Sequence, residues 1–208
     1  MSQGLFITFD GPEGGGKTTQ RELISKKLKE LGHQVVDTRE PGGTKLGKAI
    51  REWLLTPSDV KIASHAEILL FMADRAQHVY EVVKPALEAG KIVLCDRYVD
   101  STIAYQVGGR GLPLELMEQL NKISHQGLMP HRTYLLMVDP NEGLKRAQKK
   151  GPDRFEEENL TFHEKVSAKY LQIAKENSKR IKLIEGNYSI EQTFEIIFND
   201  LKTFLPKK

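Results

Sequence analysis

Cysteine is almost missing from this sequence, and so are long apolar runs. Cys95 is the single cysteine among 208 residues, so the chain can form neither an internal disulfide nor a cysteine-rich zinc site. The longest apolar stretches, residues 68–73 and 134–138, are far shorter than the roughly 20 residues that span a bilayer. The N-terminal segment MSQGLFITFDG has no basic region before a long apolar core, unlike a signal peptide. We therefore expect a cytoplasmic protein without a membrane partner.

A large excess of charge is also absent. The formal net charge is +3, and the basic residues are spread along the chain. A nucleic-acid-binding protein would show a denser basic patch, so we expect no nucleic-acid partner. Hydrophobic residues make up 39% of the chain and charged residues 28%, which is typical of a globular protein. Since glycine and proline are not clustered into a linker, residues 1–208 are predicted to form a single domain.

Short apolar runs alternate with longer amphipathic segments along the chain. The predicted strands are 5–10, 34–38, 91–96, 133–139 and 180–185, and the predicted helices are 17–31, 47–55, 63–89, 113–125, 141–149, 160–175 and 190–204. This alternation indicates an α/β protein with right-handed βαβ units and a parallel sheet covered by helices on both faces. Ligands bind beyond the carboxyl ends of such strands, so the loops after Asp10, Thr38, Asp96 and Asp139 are expected to meet at one cleft.

Residues 11–18, GPEGGGKT, match the phosphate-binding P-loop pattern in full. A predicted strand precedes the motif and a predicted helix follows it, as the pattern requires. Glycines let backbone N–H groups turn inward, where they form an anion site with the helix N-terminus. Lys17 is predicted to contact the β- and γ-phosphates, and Thr18 to offer a hydroxyl ligand to Mg²⁺. The residues assigned to ATP are Gly11, Pro12, Glu13, Gly14, Gly15, Gly16, Lys17, Thr18 and Thr19.

A P-loop alone does not distinguish a kinase from a nucleotide switch protein. A GTPase normally carries an Asn-Lys-x-Asp string, but the nearest string here, at residues 121–124, is NKIS and lacks the aspartate. No Asp-x-x-Gly switch string occurs in the sequence. These absences disfavour a GTPase, and a nucleotide-dependent switch or partner-binding module stands as the alternative of a different class.

An Asp-Arg pair follows the predicted strand at 91–96. Asp96 lies at the carboxyl end of that strand, where a carboxylate can hold Mg²⁺ directly or through water. Arg97 can clamp a phosphate with two parallel hydrogen bonds. An ordinary ion pair in a loop is the other interpretation, which the complete P-loop makes less favoured. The predicted metal ligands are therefore Thr18 and Asp96.

A basic segment at about residues 145–158 is interpreted as a lid. Its basic residues are Lys145, Arg146, Lys149, Lys150 and Arg154, and they surround Gly151-Pro152. A solvated surface loop would also carry such charges. In a kinase, however, a mobile lid excludes water and places cations over the transferring phosphoryl group. Arg154 is the first candidate for this contact, followed by Arg146 and Lys149.

Several strings together resemble the thymidylate kinase family in its bacterial form. They are FITFDGPEGGGKTTQ at 6–20, TREPGG at 38–43, CDRYVDS at 95–101 and AYQ at 104–106, and their order and spacing fit over essentially the whole chain. The resemblance implies the nucleoside monophosphate kinase fold, a three-layer αβα architecture with a five-stranded parallel sheet and a mobile lid. It implies Mg²⁺-dependent phosphoryl transfer from ATP to dTMP, giving dTDP for dTTP biosynthesis, by a homodimer packed through helices.

The resemblance also assigns roles to individual residues. Phe71 would stack on thymine, Arg75 would hydrogen-bond its exocyclic carbonyl, and Tyr105 would crowd the 2′ position of the sugar. Arg51 and Arg97 would bind the acceptor phosphate. The full set assigned to dTMP is Glu13, Arg39, Arg51, Phe71, Arg75, Arg97, Thr102, Tyr105 and Gln106, and the set assigned to catalysis is Lys17, Asp96, Arg97 and Arg154.

Two details bear on this resemblance. The variable P-loop positions 12–15 carry no basic residue, and cations in the lid take that place, as in bacterial members. Asp10 stands where the family usually has glutamate, which shortens a carboxylate on a buried strand by one methylene. The alternative is another P-loop deoxynucleotide or deoxynucleoside kinase, although phosphate-clamping arginines argue against a neutral nucleoside acceptor.

Overall fold

A five-stranded sheet forms the centre of the computed structural model, which describes residues 4–147 and 153–205. The strand order is β2-β3-β1-β4-β5, and each neighbouring pair is parallel. The strands are β1 (Leu5–Asp10), β2 (Val35–Arg39), β3 (Ile92–Asp96), β4 (Arg132–Leu136) and β5 (Ile181–Ile184). The predicted α/β fold with a five-stranded parallel sheet is thus confirmed.

Helices connect the strands and cover the sheet. They are α1 (Lys17–Glu30), α2 (Lys45–Leu55), α3 (Ser64–His78), α4 (Lys84–Glu88), α5 (Val99–Thr102), α6 (Leu114–His125), α7 (Pro140–Ala147), α8 (Leu160–Glu176) and α9 (Ile190–Leu201). Two π-helical segments, Val79–Val83 and Ile103–Gly109, join α3 to α4 and extend α5. In the part of the chain that the structure describes, none of the helices has both the length and the hydrophobicity of a membrane span.

The central strand β1 is buried along its whole length. Successive side chains of a strand point to opposite faces. Leu5, Ile7 and Phe9 accordingly pack with α1 and α9 on one face, while Phe6 packs with Val79 on the other. Burying each such side chain contributes about 1.5–3 kcal/mol relative to leaving it exposed. Because helices cover both faces, ligands reach this sheet at the carboxyl ends of the strands.

The sequence pattern did not predict the helical segment formed by α5 and residues 103–109. Its first turn carries Asp100, Ser101 and Thr102, which are polar yet buried, so it lacks the apolar period of an amphipathic helix. Gly108 and Gly109 also count against a helix in sequence-based prediction. They are needed because α8 lies so close that a Cβ at Gly109 would come within 2.4 Å of a ring carbon of Phe162.

Some predicted boundaries differ from the observed ones. The fourth strand ends at Leu136 rather than at residue 139, because α7 already begins at Pro140. The predicted lid at about 145–158 falls partly on residues 148–152, which lie outside the described residues and include Lys149 and Lys150. The single-domain assignment for residues 1–208 stays a prediction.

Candidate active site

The P-loop connects β1 to α1 and places one lysine in the interior. Gly16, directly before α1, has a left-handed conformation (φ 84°) and no side chain that could cap the first N–H groups of the helix. Such N–H groups are available to an anion. Lys17 is buried, and its Nζ donates a hydrogen bond to the carbonyl of Pro12 at 2.7 Å. Burial, followed by the charge of Arg97, lowers the pKa of Lys17 below its usual value.

Two glycines bring the P-loop against the helix that leads into the lid segment. Gly14, with φ 66°, lies so near α7 that a Cβ would come within 2.2 Å of the carbonyl oxygen of Gly143. A Cβ at Gly143 would in turn come within 2.4 Å of the carbonyl oxygen of Glu13. Both distances are far below van der Waals contact, so the backbones can approach this closely only because neither residue has a side chain.

The predicted metal ligands lie side by side. The Thr18 hydroxyl donates a hydrogen bond to Oδ2 of Asp96 at 2.8 Å. Mg²⁺ is usually held by one or two protein oxygen ligands together with phosphates and water, so a hydroxyl next to a carboxylate suits it. In residues 4–147 and 153–205 there is no group of three or more His, Cys, Asp or Glu side chains that could cage a metal. The donor set therefore fits a magnesium ion brought by a nucleotide better than a structural metal.

Arg97 lies at the centre of a dense hydrogen-bond network. Its Nη2 donates to Oε1 of Glu13 at 2.6 Å and to the hydroxyl of Tyr105 at 3.2 Å, and the Tyr105 hydroxyl donates to the same carboxylate at 2.6 Å. Burial alone would raise the pKa of Glu13, but Arg97 and Lys17 lower it to about 2. The backbone of Arg97 has φ 68°. Residues other than glycine rarely adopt this conformation, and it persists only where the surroundings enforce it.

Two more arginines face the same space as Arg97. Arg39 ends β2 in register with Asp96 of β3, so the parallel strands deliver both residues to one edge of the sheet. Arg51 of α2 donates a hydrogen bond from Nη1 to the carbonyl of Pro41 at 3.0 Å. Burial, and next the positive charge of Arg39, lower the pKa of Arg51. Cations that share a cavity are stabilised when an anion binds between them.

A pocket beside the arginines combines an aromatic ring with polar groups. Phe71 of α3 packs against Phe155 with the ring centroids 6.0 Å apart. Arg75, one helical turn further on, is 2% exposed and donates one hydrogen bond each to Glu40, Asn121 and Thr102. These bonds use three of the five N–H donors of a guanidinium group. Two further donors remain on Arg75, which lines the cavity.

Glu67 is a functional residue that sequence reasoning missed. It is 1% exposed and accepts hydrogen bonds from Gln106 Nε2 at 3.1 Å, from Arg110 and from Arg154. A carboxylate can only accept, so the Gln106 amide must turn its NH₂ group toward Glu67. The amide oxygen is left as the group that can face a ligand. The sequence signal for Glu67 was its place directly before the apolar run at residues 68–73.

Glu67 also holds Arg154, the first candidate among the lid cations. Arg154 donates to the Glu67 carboxylate through Nη2 and to the carbonyl of Leu54 through Nε at 2.8 Å. A buried carboxylate needs paired cations, and Arg154 satisfies this need instead of lining the cavity. Arg146, the second lid candidate, does line it.

One cavity of about 430 Å³ brings most of the predicted residues together. This volume is typical of a site for a small ligand. The predicted residues that line it are Glu13, Gly14, Gly16, Lys17, Thr18, Thr19, Arg39, Arg51, Phe71, Arg75, Asp96, Arg97, Thr102, Tyr105 and Gln106. Those that do not line it are Gly11, Pro12, Gly15 and Arg154. The lining also includes Glu40 and Phe155, which the sequence did not single out.

The cavity is lined both by the P-loop with Lys17 and by three arginines, Arg39, Arg51 and Arg97, a set of cations that suits two phosphate-bearing ligands. On an all-parallel sheet with this P-loop, that arrangement defines the class of P-loop nucleoside monophosphate kinases. A family model for thymidylate kinase matches residues 9–197. The thymidylate kinase of Deinococcus radiodurans is 50% identical over 89% of this chain and 90% of its own, and that of Halothermothrix orenii is 45% identical over 99% and 100%.

A solved structure agrees with these sequence comparisons. The crystal structure of thymidylate kinase from Ehrlichia chaffeensis has a TM-score of 0.80 and 34% identity, and the match covers 96% of this chain and 99% of that one. The chain therefore belongs to the thymidylate kinase family, and it is an enzyme.

Proposed function

We propose that this enzyme transfers the γ-phosphoryl group of ATP to the phosphate of dTMP, giving ADP and dTDP. The observation that carries the proposal is the shared cavity, in which Lys17 of the P-loop faces Arg39, Arg51 and Arg97. Such an arrangement brings donor and acceptor phosphates into line, so catalysis comes from positioning and charge neutralisation. No covalent enzyme intermediate is needed, because the acceptor phosphate is itself the nucleophile.

On the donor side, we assign the P-loop N–H groups and Lys17 to the phosphates of ATP. Thr18 and Asp96 would hold Mg²⁺, which when bound neutralises charge on the β- and γ-phosphates. Lys17 would keep its ammonium group against the phosphates, because their negative charge opposes the lowering of its pKa by burial and Arg97. Among the lid cations, we assign to Arg146, rather than to Arg154, the contact with the transferring group, since Arg146 lines the cavity.

On the acceptor side, the three arginines would bind the phosphate and Phe71 would stack on the base. The two remaining N–H donors of Arg75 suit an exocyclic carbonyl. The Gln106 amide oxygen suits the N3–H of thymine, a donor that cytosine lacks. A site built from such polar groups rejects the wrong base because mismatched groups are left unpaired. The Tyr105 ring, fixed by its bond to Glu13, would disfavour a 2′-hydroxyl.

The test is a coupled assay of ADP release with Mg·ATP and a panel of acceptors: dTMP, dUMP, dCMP, UMP, AMP and thymidine. We expect strong preference for dTMP over dCMP and no turnover with thymidine. Activity on dCMP or AMP equal to that on dTMP would keep the kinase class and refute the base assignment. A complete absence of acceptor-dependent turnover would instead favour a nucleotide switch protein.

We also propose a homodimer in a reducing cytoplasm. Trp53 of α2 and Leu69 of α3 are large apolar side chains that are 64% and 57% exposed, as expected for residues that a partner subunit covers. Sedimentation equilibrium tests this: the parent should sediment as a dimer and Leu69→Glu as a monomer. A monomeric parent at micromolar concentration would contradict the assignment.

A further inference from the structure

Asp10 is a fully buried carboxylate at the carboxyl end of β1, behind the P-loop. Its Oδ1 accepts hydrogen bonds from the Ser101 hydroxyl and from the Tyr170 hydroxyl, the latter at 3.2 Å. Within residues 4–147 and 153–205, its Oδ2 has no hydrogen-bond partner. An isolated buried carboxylate oxygen is costly, and the roles assigned so far to the ATP and dTMP sites do not use this residue.

The two hydroxyl groups link Asp10 to Arg97. Nη1 of Arg97 donates to the Ser101 Oγ and to the Tyr170 hydroxyl oxygen, each at 3.2 Å, and to the carbonyl of Gly11 at 2.9 Å. A hydroxyl has one proton to donate and lone pairs to accept with. The two hydroxyl oxygens are also within hydrogen-bond distance of each other, at 2.8 Å. When the Ser101 proton points toward Asp10 and the Tyr170 proton is shared between Asp10 and the Ser101 oxygen, lone pairs of both oxygens are turned to Arg97. The direction of these hydrogen bonds thus depends on a carboxylate that Arg97 itself does not touch.

We propose that Asp10 is a positioning residue, whose carboxylate orients the Ser101 and Tyr170 hydroxyls so that they hold the Arg97 guanidinium toward the acceptor phosphate. The inference rests on the proposed role of Arg97. The two hydroxyls hold the Nη1 group of the guanidinium together with the Gly11 carbonyl, while Glu13 holds the Nη2 group. These contacts also account for the left-handed backbone of Arg97, since contacts on both groups maintain a conformation that costs energy.

The surroundings of Asp10 determine the pKa of its carboxyl group, and therefore the pH above which its carboxylate orients the two hydroxyls. Burial, and next the neighbouring Asp100, raise the pKa of Asp10 to about 7, although the Ser101 hydrogen bond, Arg97 and Lys17 lower it. Arg180 forms the ion pair with Asp100. A protonated Asp10 can donate to a hydroxyl oxygen and so competes with Arg97 for its lone pairs. Binding of the acceptor should therefore improve as pH rises through about 7.

The experiment compares Asp10→Asn and Asp10→Glu with the parent enzyme between pH 6 and 9. In Asp10→Asn we expect the KM for dTMP to rise roughly tenfold or more at pH 8, as for loss of a hydrogen bond to a charged group, with the KM for ATP within about twofold. Asp10→Glu keeps the carboxylate and should recover most of the loss. The parent-to-variant ratio of kcat/KM for dTMP should grow with pH, and because dTMP ionises identically in both assays, its own titration cancels.

Stability distinguishes this role from a structural one. Since the pKa of Asp10 is raised from 3.8 to about 7, its stabilising neutral form is lost as pH rises through 7. Asp10→Asn avoids that loss, so its Tm at pH 8 should be no lower than that of the parent. The matched control is Asp37→Asn, because Asp37 also accepts from a serine hydroxyl (Ser25, 2.6 Å) but lies outside the cavity. It should leave both KM values unchanged.

Several results would overturn the proposal. Equal increases in the two KM values, or a parent-to-variant ratio independent of pH, would show that Asp10 does not act through Arg97. If Asp10→Asn fails to fold, Tyr170→Phe removes one hydroxyl and should raise the KM for dTMP alone; an unchanged KM would refute the link. A parent that does not phosphorylate dTMP at all would overturn the proposed function and this inference with it. An active parent with any of the results above would overturn this inference alone.

Discussion

Removing Arg180 should destabilise the framework beneath the acceptor site. Arg180 donates from Nη1 to Oδ2 of Asp100 and from Nη2 to Oδ1, both at 2.7 Å, and Nη1 also donates to the Thr133 hydroxyl at 2.8 Å. Asp100 is 2% exposed, and the Arg180 side chain 17%. Arg180→Ala would therefore leave a buried carboxylate whose one remaining side-chain hydrogen bond, among the described residues, is the 3.3 Å bond from Thr133.

The size of the effect follows from this burial. Removing one partner of a buried ion pair costs about 3–5 kcal/mol, because the other charge is left uncompensated. Water can reach Asp100 through the partly exposed space that Arg180 vacates, so we expect a loss of about 2–4 kcal/mol in the free energy of unfolding. At roughly 2–4 °C per kcal/mol for a chain of this size, the Tm should fall by about 5–12 °C.

Urea denaturation at pH 7.5 and 25 °C measures the change, with calorimetry for Tm. The control is the double variant Arg180→Ala with Asp100→Asn, which no longer buries an unpaired charge and should be at least about 1 kcal/mol more stable than Arg180→Ala alone. A loss below about 1 kcal/mol in the single variant, or strictly additive effects, would refute the reasoning that this pair is buried and coupled.

Three further variants test the site. Lys17→Ala should lower kcat roughly 10²–10³-fold or more in the coupled assay, with an unchanged urea midpoint; near-normal turnover would exclude its phosphate role. Arg75→Lys keeps a charge beside Glu40 but loses the planar donors, so by calorimetry dTMP should bind roughly tenfold more weakly with ATP affinity unchanged; equal losses would contradict base reading. Gly143→Ala should raise the KM for ATP, because the added Cβ would displace the P-loop carbonyl of Glu13; kinetics identical to the parent would show that the two backbones separate freely.

Most of the fold could be predicted because its three central strands, β3, β1 and β4, are largely buried. The run at residues 5–10 is apolar except for Thr8 and its last residue, Asp10, and the observed β1 has the same bounds. The segment Val99–Gly109 could not be predicted in this way. Its helix is stabilised by polar contacts such as that of Thr102 with Arg75 and by close packing of glycines on α8, neither of which leaves an apolar period in the sequence.

The P-loop and the residues at strand ends could be located for a similar reason. A complete local motif specifies Lys17 and Thr18, and parallel pairing brings Arg39 and Asp96 to one edge. The direction of a long side chain is not encoded locally. Arg154 lies in a basic segment, but its guanidinium pairs with Glu67, which is distant in sequence. Only the folded arrangement shows that this arginine satisfies a buried carboxylate.

The mutual contact of Gly14 and Gly143 affects how this protein can be recombined with its relatives. Each glycine leaves room for the backbone around the other, so a larger residue at either position is excluded unless the partner loop moves as well. The two segments therefore have to be inherited as a unit. A lid of different length or charge can be taken from a relative if the junction follows Gly143. A junction between the P-loop and α7 would instead combine these two segments from different proteins, without the matched backbones that their close approach requires.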